Sequence, residues 1–316
     1  MGDIPVIDIS ALAVHDNAAA RTRVAADVGA ACREVGFFAI TGHGVPSPLL
    51  DDAFDASHEC FALNAAAKQL LAIDRLGHNR GYVDLGAEAL DERKGADQKE
   101  AFNLIWTDER VRPPNVWPPI DGWRPRVQAY FDAVLLAARR LHTAFAIDLG
   151  LREDHFDDKI DRPLATLRLL RYPASVDGAP ANQSIGAGVH TDYGNVTLLA
   201  TDGVAGLQVR TRAGEWIDAP AVPGAFICNI GDCLMRWTND VYVSTPHRVV
   251  RPVRERYSIA LFLDPNADAL VSAIPSCVPA GEAPRYAPVT AQAYLQSRFD
   301  ATYTRPLPTR AVPGDR

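Results

Sequence analysis

The chain is poor in cysteine and has no excess of positive charge. Its 316 residues hold five Cys (Cys32, Cys60, Cys228, Cys233 and Cys277), an odd number without any Cys-x-x-Cys pair. A disulfide framework is therefore not expected, and free thiols in a reducing compartment are. Lys and Arg number 32 against 39 Asp and Glu, a net charge of −7, so the basic surface that nucleic acid requires is missing. No apolar run approaches the roughly 18 residues of a membrane-spanning helix. The N-terminus lacks the basic-then-apolar pattern of a secretory signal. Met1-Gly2 is followed by Val6 where a myristoylation site needs Ser or Thr. Long like-charge runs and internal repeats are also absent. The expectation is a soluble cytoplasmic protein that engages neither nucleic acid nor membrane. Nothing in the sequence reports its oligomeric state.

What is present is an apolar content of 47%, enough to build a sizeable core. Residues 4–9 alternate as a short strand. From Asn17 to about Glu34, Val24, Val28, Ala31 and Val35 recur at helical spacing, and Gly36 ends the helix. Residues 37–40 read as a buried strand, and Pro48 to about Leu71 as two further helical segments. Residues 75–124 read as irregular, rich in Gly and Pro, with Trp106, Trp117 and Trp123 either lining a cavity or anchoring loops. Arg124 to Leu149 is a long helix, with Val127, Tyr130, Phe131, Val134, Leu135, Ala138, Leu141 and Phe145 at steps of three and four.

After residue 160 the period changes. Eight short strand-like runs follow, at 164–172, 187–192, 195–200, 206–210, 215–218, 225–230, 247–251 and 256–263, separated by Gly, Pro and Asp. Eight such strands suit a double-sheet jelly roll. The division is a helical N-terminal region over 1–160, a β-rich core over 161–285, and a C-terminal helix and tail over 286–316, all in one compact α+β unit. The segment 173–188 reads as a loop or lid.

The chemistry concentrates in Gly188-Val189-His190-Thr191-Asp192-Tyr193-Gly194. On an extended backbone His190 and Asp192 share a face, because alternate side chains point the same way. His247, separated from Asp192 by 54 intervening residues, is the third candidate ligand. Two imidazoles and one carboxylate on one face leave open positions on a metal, which is the facial arrangement of non-haem Fe(II) sites. A tetrahedral zinc with one water satisfies the same ligands. Arg256 and Ser258 are again two apart on a strand-like run, and a guanidinium beside a hydroxyl suits a carboxylate. His43, His58, His142 and His155 read as structural or surface residues.

Several pieces together, in this order, carry a resemblance. They are Ile4-Pro5-Val6-Ile7-Asp8-Ile9, Gly36 to Val45, Lys99-Glu100-Ala101-Phe102-Asn103, Asn115-Val116-Trp117-Pro118, Leu169-Leu170-Arg171-Tyr172-Pro173, the His190 stretch, Gly206-Leu207-Gln208-Val209, Asn229-Ile230-Gly231-Asp232, the His247 stretch, and Arg256-x-Ser258. The chain resembles the isopenicillin-N-synthase-like branch of the Fe(II)/2-oxoglutarate-dependent dioxygenases. The resemblance implies a double-stranded β-helix of cupin type, with iron held by His190, Asp192 and His247. It implies 2-oxoglutarate and O2 as co-substrates, the distal carboxylate of the former held by Arg256, Ser258 and Tyr172. Many plant relatives carry Asn where this chain has Leu170.

The implied reaction is hydroxylation, desaturation or ring closure of a small molecule, with succinate and CO2 released. Substrate-contact candidates are Arg168, Phe102, Asn103, Asn195 and Tyr303. Arg168 either meets an acidic substrate group or pairs with a nearby carboxylate. A 2-oxoglutarate-independent oxidase that uses Arg256 and Ser258 to hold its substrate stays open, as do a zinc hydrolase and a metal-binding sensor without turnover.

Overall fold

The computed structural model describes residues 4–14, 16–91, 94–107, 113–175 and 185–302. Two sheets face each other, and a layer of helices backs the larger one. The larger sheet has the strand order β1 (Val6–Asp8), β2 (Phe37–Thr41), β10 (Phe226–Ile230), β7 (Val196–Thr201), β12 (Arg256–Leu263), β5 (Thr166–Tyr172), β4 (Glu100–Ile105) and β3 (Gly81–Val83). The smaller sheet runs β6 (Ile185–His190), β11 (His247–Val250), β8 (Leu207–Arg210) and β9 (Trp216–Asp218). All eight strands expected after residue 160 are present, four in each sheet, as a jelly roll requires.

The larger sheet extends further into the N-terminal region than expected. Residues 81–83 and 100–105 are strands, not irregular chain, and β4 pairs antiparallel with β5. Their pattern hides them. β3 has three residues and opens on a glycine, while β4 carries the buried polar residues Glu100 and Asn103 among its apolar ones. β2 likewise pairs with β10, so segments before and after residue 160 share one sheet.

Two apolar clusters follow from the alternation of these strands. One face of the larger sheet offers Phe38, Ile40, Phe102, Leu104, Leu167, Leu169, Leu198 and Ile259 to helices α1 (Ala18–Glu34), α2 (Ser47–Phe61) and α5 (Trp123–Asp148). Asn17 caps α1 by accepting from the Ala20 amide at 3.0 Å. In α5 all eight residues of the expected stripe are buried. The opposite face puts Phe37, Ala39, Ala101, Leu170, Tyr172, Ile227 and Ala260 against Ala187, Leu207, Val209 and Val249 of the smaller sheet.

Phe102 belongs to the first cluster. It is fully buried and meets the edge of Trp123 with ring centroids 5.6 Å apart, so it is not a cavity residue as expected. The one-residue step from Asn103 puts it on the opposite face of β4. The tryptophans act as anchors. Trp123 donates its indole N–H to the Ala56 carbonyl at 2.8 Å, and Trp117 packs on it. His142, on α5, is fully buried, with Nδ1 at 2.9 Å from the Ala138 carbonyl and Nε2 at 3.1 Å from the Asn195 amide.

Burial holds His142 down to about 4, against an ordinary value of 6.5. Between these values the unfolded chain binds a proton that the folded chain refuses. Stability is therefore complete above pH 6.5 and falls toward pH 4, by about 1.4 kcal/mol per pH unit for one proton. Urea unfolding of wild type and His142→Gln between pH 7.5 and 5 checks this; the variant should show a shallower decline. An equally steep decline in the variant contradicts it.

Candidate active site

The site lies between the two sheets, at the end where β6 stops. In the antiparallel pair of β6 and β11, His247 stands directly opposite His190. The register then shifts, with three residues of β6 spanning two of β11, so that His190 and Ala187 both face the cavity. The two imidazole centroids are 4.2 Å apart. β6 ends at His190, so Asp192 is not on the same strand, as the alternation argument assumed. It sits in the loop that follows. The loop is fixed by the Asp232 amide, which donates to the Asp192 carbonyl at 2.7 Å. Gly188 lets the segment around Asp91 close over β6, since a Cβ there would come within 2.5 Å of the Asp91 amide nitrogen.

The ligand atoms converge. Asp192 Oδ1 lies 3.7 Å from His190 Nε2 and 3.6 Å from His247 Nε2, and one ligand atom from each residue lies within 4.8 Å of the others. Each residue is turned by a hydrogen bond on its far side. His190 Nδ1 meets the Gly188 carbonyl at 2.8 Å, and His247 Nδ1 meets the Thr245 carbonyl at 3.1 Å. Both Nδ1 atoms then carry the proton, and both Nε2 lone pairs face inward. Asp192 Oδ2 accepts from Asn229 Nδ2 at 2.7 Å and from the Thr197 hydroxyl, which leaves Oδ1 for a metal.

Protonation suits the same purpose. Burial, reinforced by His247, lowers His190 to about 3, so its imidazole is neutral at neutral pH. Burial alone would raise Asp192. The two histidines, with the hydrogen bonds from Asn229 and Thr197, bring it below the usual carboxylate value. The donor set is two nitrogens and one oxygen on one side of an open cavity, which fits Fe(II) with exchangeable positions. Asn229→Ala should weaken Fe(II) binding by roughly 10–100-fold, the usual effect of losing an outer partner of a ligand. A metal titration followed by tryptophan fluorescence reads it, and unchanged affinity contradicts the orienting role of Asn229.

Arg256 and Ser258 share the cavity-facing side of β12 with Ala260 and Phe262. Arg256 is 1% exposed; its Nε donates to the Val204 carbonyl at 3.1 Å and its Nη1 to Ser258 Oγ at 3.2 Å. The guanidinium carbon stands 5.0 Å from the Tyr172 ring centroid, and Tyr172 is its register partner on β5. No carboxylate among the described residues pairs with this buried cation. A buried charge without a counter-ion is costly, and an incoming carboxylate removes that cost. Arg256, Ser258 and Tyr172 therefore fit one end of a dicarboxylate such as 2-oxoglutarate. Leu170, facing Ser258 in register, keeps this part of the wall apolar.

The substrate candidates divide. Asn103 lines the cavity, donates Nδ2 to Asn79 Oδ1 at 3.0 Å, and leaves its own Oδ1 buried without a partner. Arg168 also lines it but pairs with Glu88 at 2.6 Å, so the nearby-carboxylate alternative is the one observed. Asn195 is fully buried and turned toward His142 on α5, away from the cavity; it lies one residue before β7 begins, so the alternation that puts Thr197 and Leu199 on the inner face does not extend to it. Tyr303 lies outside the described residues, as does 176–184 of the expected lid. The C-terminal helix α7 (Ala291–Thr302) contributes Leu295 to the cavity wall.

Several residues escaped the sequence reading. Thr197 and Asn229 orient Asp192, and Asn229 is the first residue of the Asn229-Ile230-Gly231-Asp232 stretch. Glu88 and Lys99 form a buried ion-pair circuit with Asp97 and Arg168. Asp264 lines the cavity just past β12, and burial with the neighbouring Asp192 carboxylate pushes it up to about 7. Counting on by twos from Arg256 through Ser258, Ala260 and Phe262 reaches Asp264, so strand parity held the signal.

Residues 164–265 match the 2OG-Fe(II) oxygenase superfamily, and residues 4–120 match the N-terminal region of a non-haem dioxygenase in morphine synthesis. The 2-oxoglutarate-Fe(II) type oxidoreductase hxnY of Emericella nidulans is 33% identical over 95% of this chain and 90% of its own length. The 2-oxoglutarate-dependent dioxygenase caaD of Aspergillus niger is 33% identical over 96% of this chain and 95% of its own. A full-length Neurospora crassa protein crystallised in complex with alpha-KG and thymine superposes with a TM-score of 0.87 at 31% identity, covering 95% of this chain and 97% of that one. Jelly roll, converging triad and uncompensated arginine agree with these likenesses: the chain belongs to the 2OG-Fe(II) oxygenase superfamily and is a 2-oxoglutarate-dependent non-haem iron dioxygenase.

Proposed function

We propose that His190 Nε2, Asp192 Oδ1 and His247 Nε2 hold the iron, and that Arg256, Ser258 and Tyr172 hold the distal carboxylate of 2-oxoglutarate. The observation that carries the reading is the division of labour at the triad. Every non-converging polar atom of the three side chains is hydrogen-bonded, and the three converging ones share one small space. Bound Fe(II) with 2-oxoglutarate supplies the redox chemistry, in which O2 and 2-oxoglutarate yield succinate and CO2 while a substrate C–H bond is oxidised. The chain's own part is placement. The Gly188 and Thr245 carbonyls fix the imidazole tautomers, and Asn229 with Thr197 fixes the carboxylate. Phe37, Leu199, Leu207, Val249 and Phe262 make an apolar wall that limits water around the reacting groups.

The substrate in this reading is a small molecule. The cavity measures about 220 Å³, the scale of a compact ligand. Hydroxylation, desaturation and ring closure are all within the same chemistry. The isopenicillin-N-synthase-like placement and a cytoplasmic location belong to this proposal. The second is supported by five free, buried thiols. Among the described residues no helix is long and apolar enough to cross a membrane.

Succinate release tests the reading. Purified protein with Fe(II), ascorbate and 2-oxoglutarate in air should release succinate slowly even without substrate, and Zn(II) in place of Fe(II) should give none. Succinate formation independent of the metal overturns the proposed site.

A further inference from the structure

One carboxyl group on the cavity wall has no partner among the described residues. Lys99 and Arg168 are matched by Asp97 and Glu88 in the chain Asp97–Lys99–Glu88–Arg168, with Arg168 at 2.6 Å and Lys99 at 3.3 Å from Glu88. Asp192 is assigned to iron, and Arg256 to a carboxylate of 2-oxoglutarate. Asp264 is left over. It lines the cavity and makes neither a hydrogen bond nor an ion pair with any described residue. Its position is built in, because Oδ1 lies 1.5 Å from where a Cβ on Gly194 would stand. A glycine two residues past Asp192 thus makes the space in which this carboxylate sits beside the metal-binding loop. A second acceptor on the same wall also lacks a partner, the buried Oδ1 of Asn103.

We infer that the substrate carries a basic nitrogen group, an ammonium, amidinium or guanidinium, which Asp264 receives, with a further donor reaching Asn103. The inference rests on the assignment of Asp192 to iron, since otherwise the wall would hold two unmatched carboxylates. Asn103 Oδ1 is an acceptor, and so is Asp264 once a cation holds it ionised; an acidic substrate, the class Arg168 suggested from sequence, would need Asp264 protonated and would leave Asn103 unsatisfied. The cavity wall also includes the apolar Leu90, Leu199, Phe262 and Leu295, which suit a short hydrocarbon stem. A guanidinium is a poor iron ligand, so its recognition here is separable from direct coordination.

Wild type and Asp264→Asn, each loaded anaerobically with Fe(II) and 2-oxoglutarate, are titrated with butylguanidine and with its neutral isostere butylurea. Binding is read by calorimetry and by perturbation of the visible charge-transfer band. Wild type should bind the guanidine at least about tenfold more tightly than the urea, the scale of one charge-assisted hydrogen bond. Asp264→Asn should form the same band and lose the preference. Should the Asn variant form no band, Asp264→Ser carries the same comparison. A wild type with its band but no preference, including one that binds neither probe, overturns the substrate class alone. A preference that survives in the variant overturns the role of Asp264. Absence of the band in wild type removes the iron-site assignment, and the inference with it.

Discussion

Replacing His247 with Ala abolishes iron retention and turnover while the protein stays folded. The expected loss is well beyond the roughly 10–100-fold that follows from removing an outer partner of a ligand. In the proposed site His247 is one of two nitrogen donors, and its cross-strand partner His190 cannot supply the missing direction, since the Gly188 carbonyl fixes its ring. The substitution is at the first residue of β11, where the backbone pairs on both sides with β6 and β8, so the sheet has other means of holding its register. Iron content after desalting, succinate release and circular dichroism together check the outcome. A folded variant with full turnover refutes the triad.

Arg256→Ala gives the second large effect, of a different kind. Iron binding should be nearly unchanged, while the 2-oxoglutarate concentration for half-maximal rate rises by about 10²–10³-fold. That magnitude is what truncating one partner of a buried charge pair costs, about 2–5 kcal/mol. Arg256→Lys should recover only part of the loss, because a point charge replaces a planar fork. Steady-state kinetics with 2-oxoglutarate as the varied component reads both. An unchanged requirement means that Arg256 holds something else, as in an oxidase that uses the pair for its own substrate.

The core and triad were legible in sequence because they depend on simple periods. Residues two apart marked the strands after residue 160, steps of three and four marked α5, and the motif around His190 marked the residues that converge and are proposed to hold the metal. What the sequence concealed was where alternation breaks. Asp192 lies beyond the end of β6, and only tertiary contacts with Asn229, Thr197 and Asp232 bring it back to the histidines. A register shift in β6 changes which residues face inward. β4 hid behind its buried Glu100 and Asn103, which read as loop residues until their partners across the sheet are known. The faces of short segments were equally hard to assign. Phe102 sits one step of parity from the cavity-lining Asn103, and Asn195 stands just before β7, where alternation does not yet hold, so candidates chosen by proximity in sequence fell on the wrong side. Arg168 could be judged only once Glu88, 80 residues earlier, was seen beside it.

The most direct test of the iron and co-substrate site is anaerobic visible absorption of the purified protein with Fe(II), before and after 2-oxoglutarate. The triad and the Arg256 assignment predict a metal-to-ligand charge-transfer band that appears only when both are present. They also predict that the band is lost in His247→Ala and needs far more 2-oxoglutarate in Arg256→Ala. Bound iron with no band at saturating 2-oxoglutarate would contradict chelation at this site.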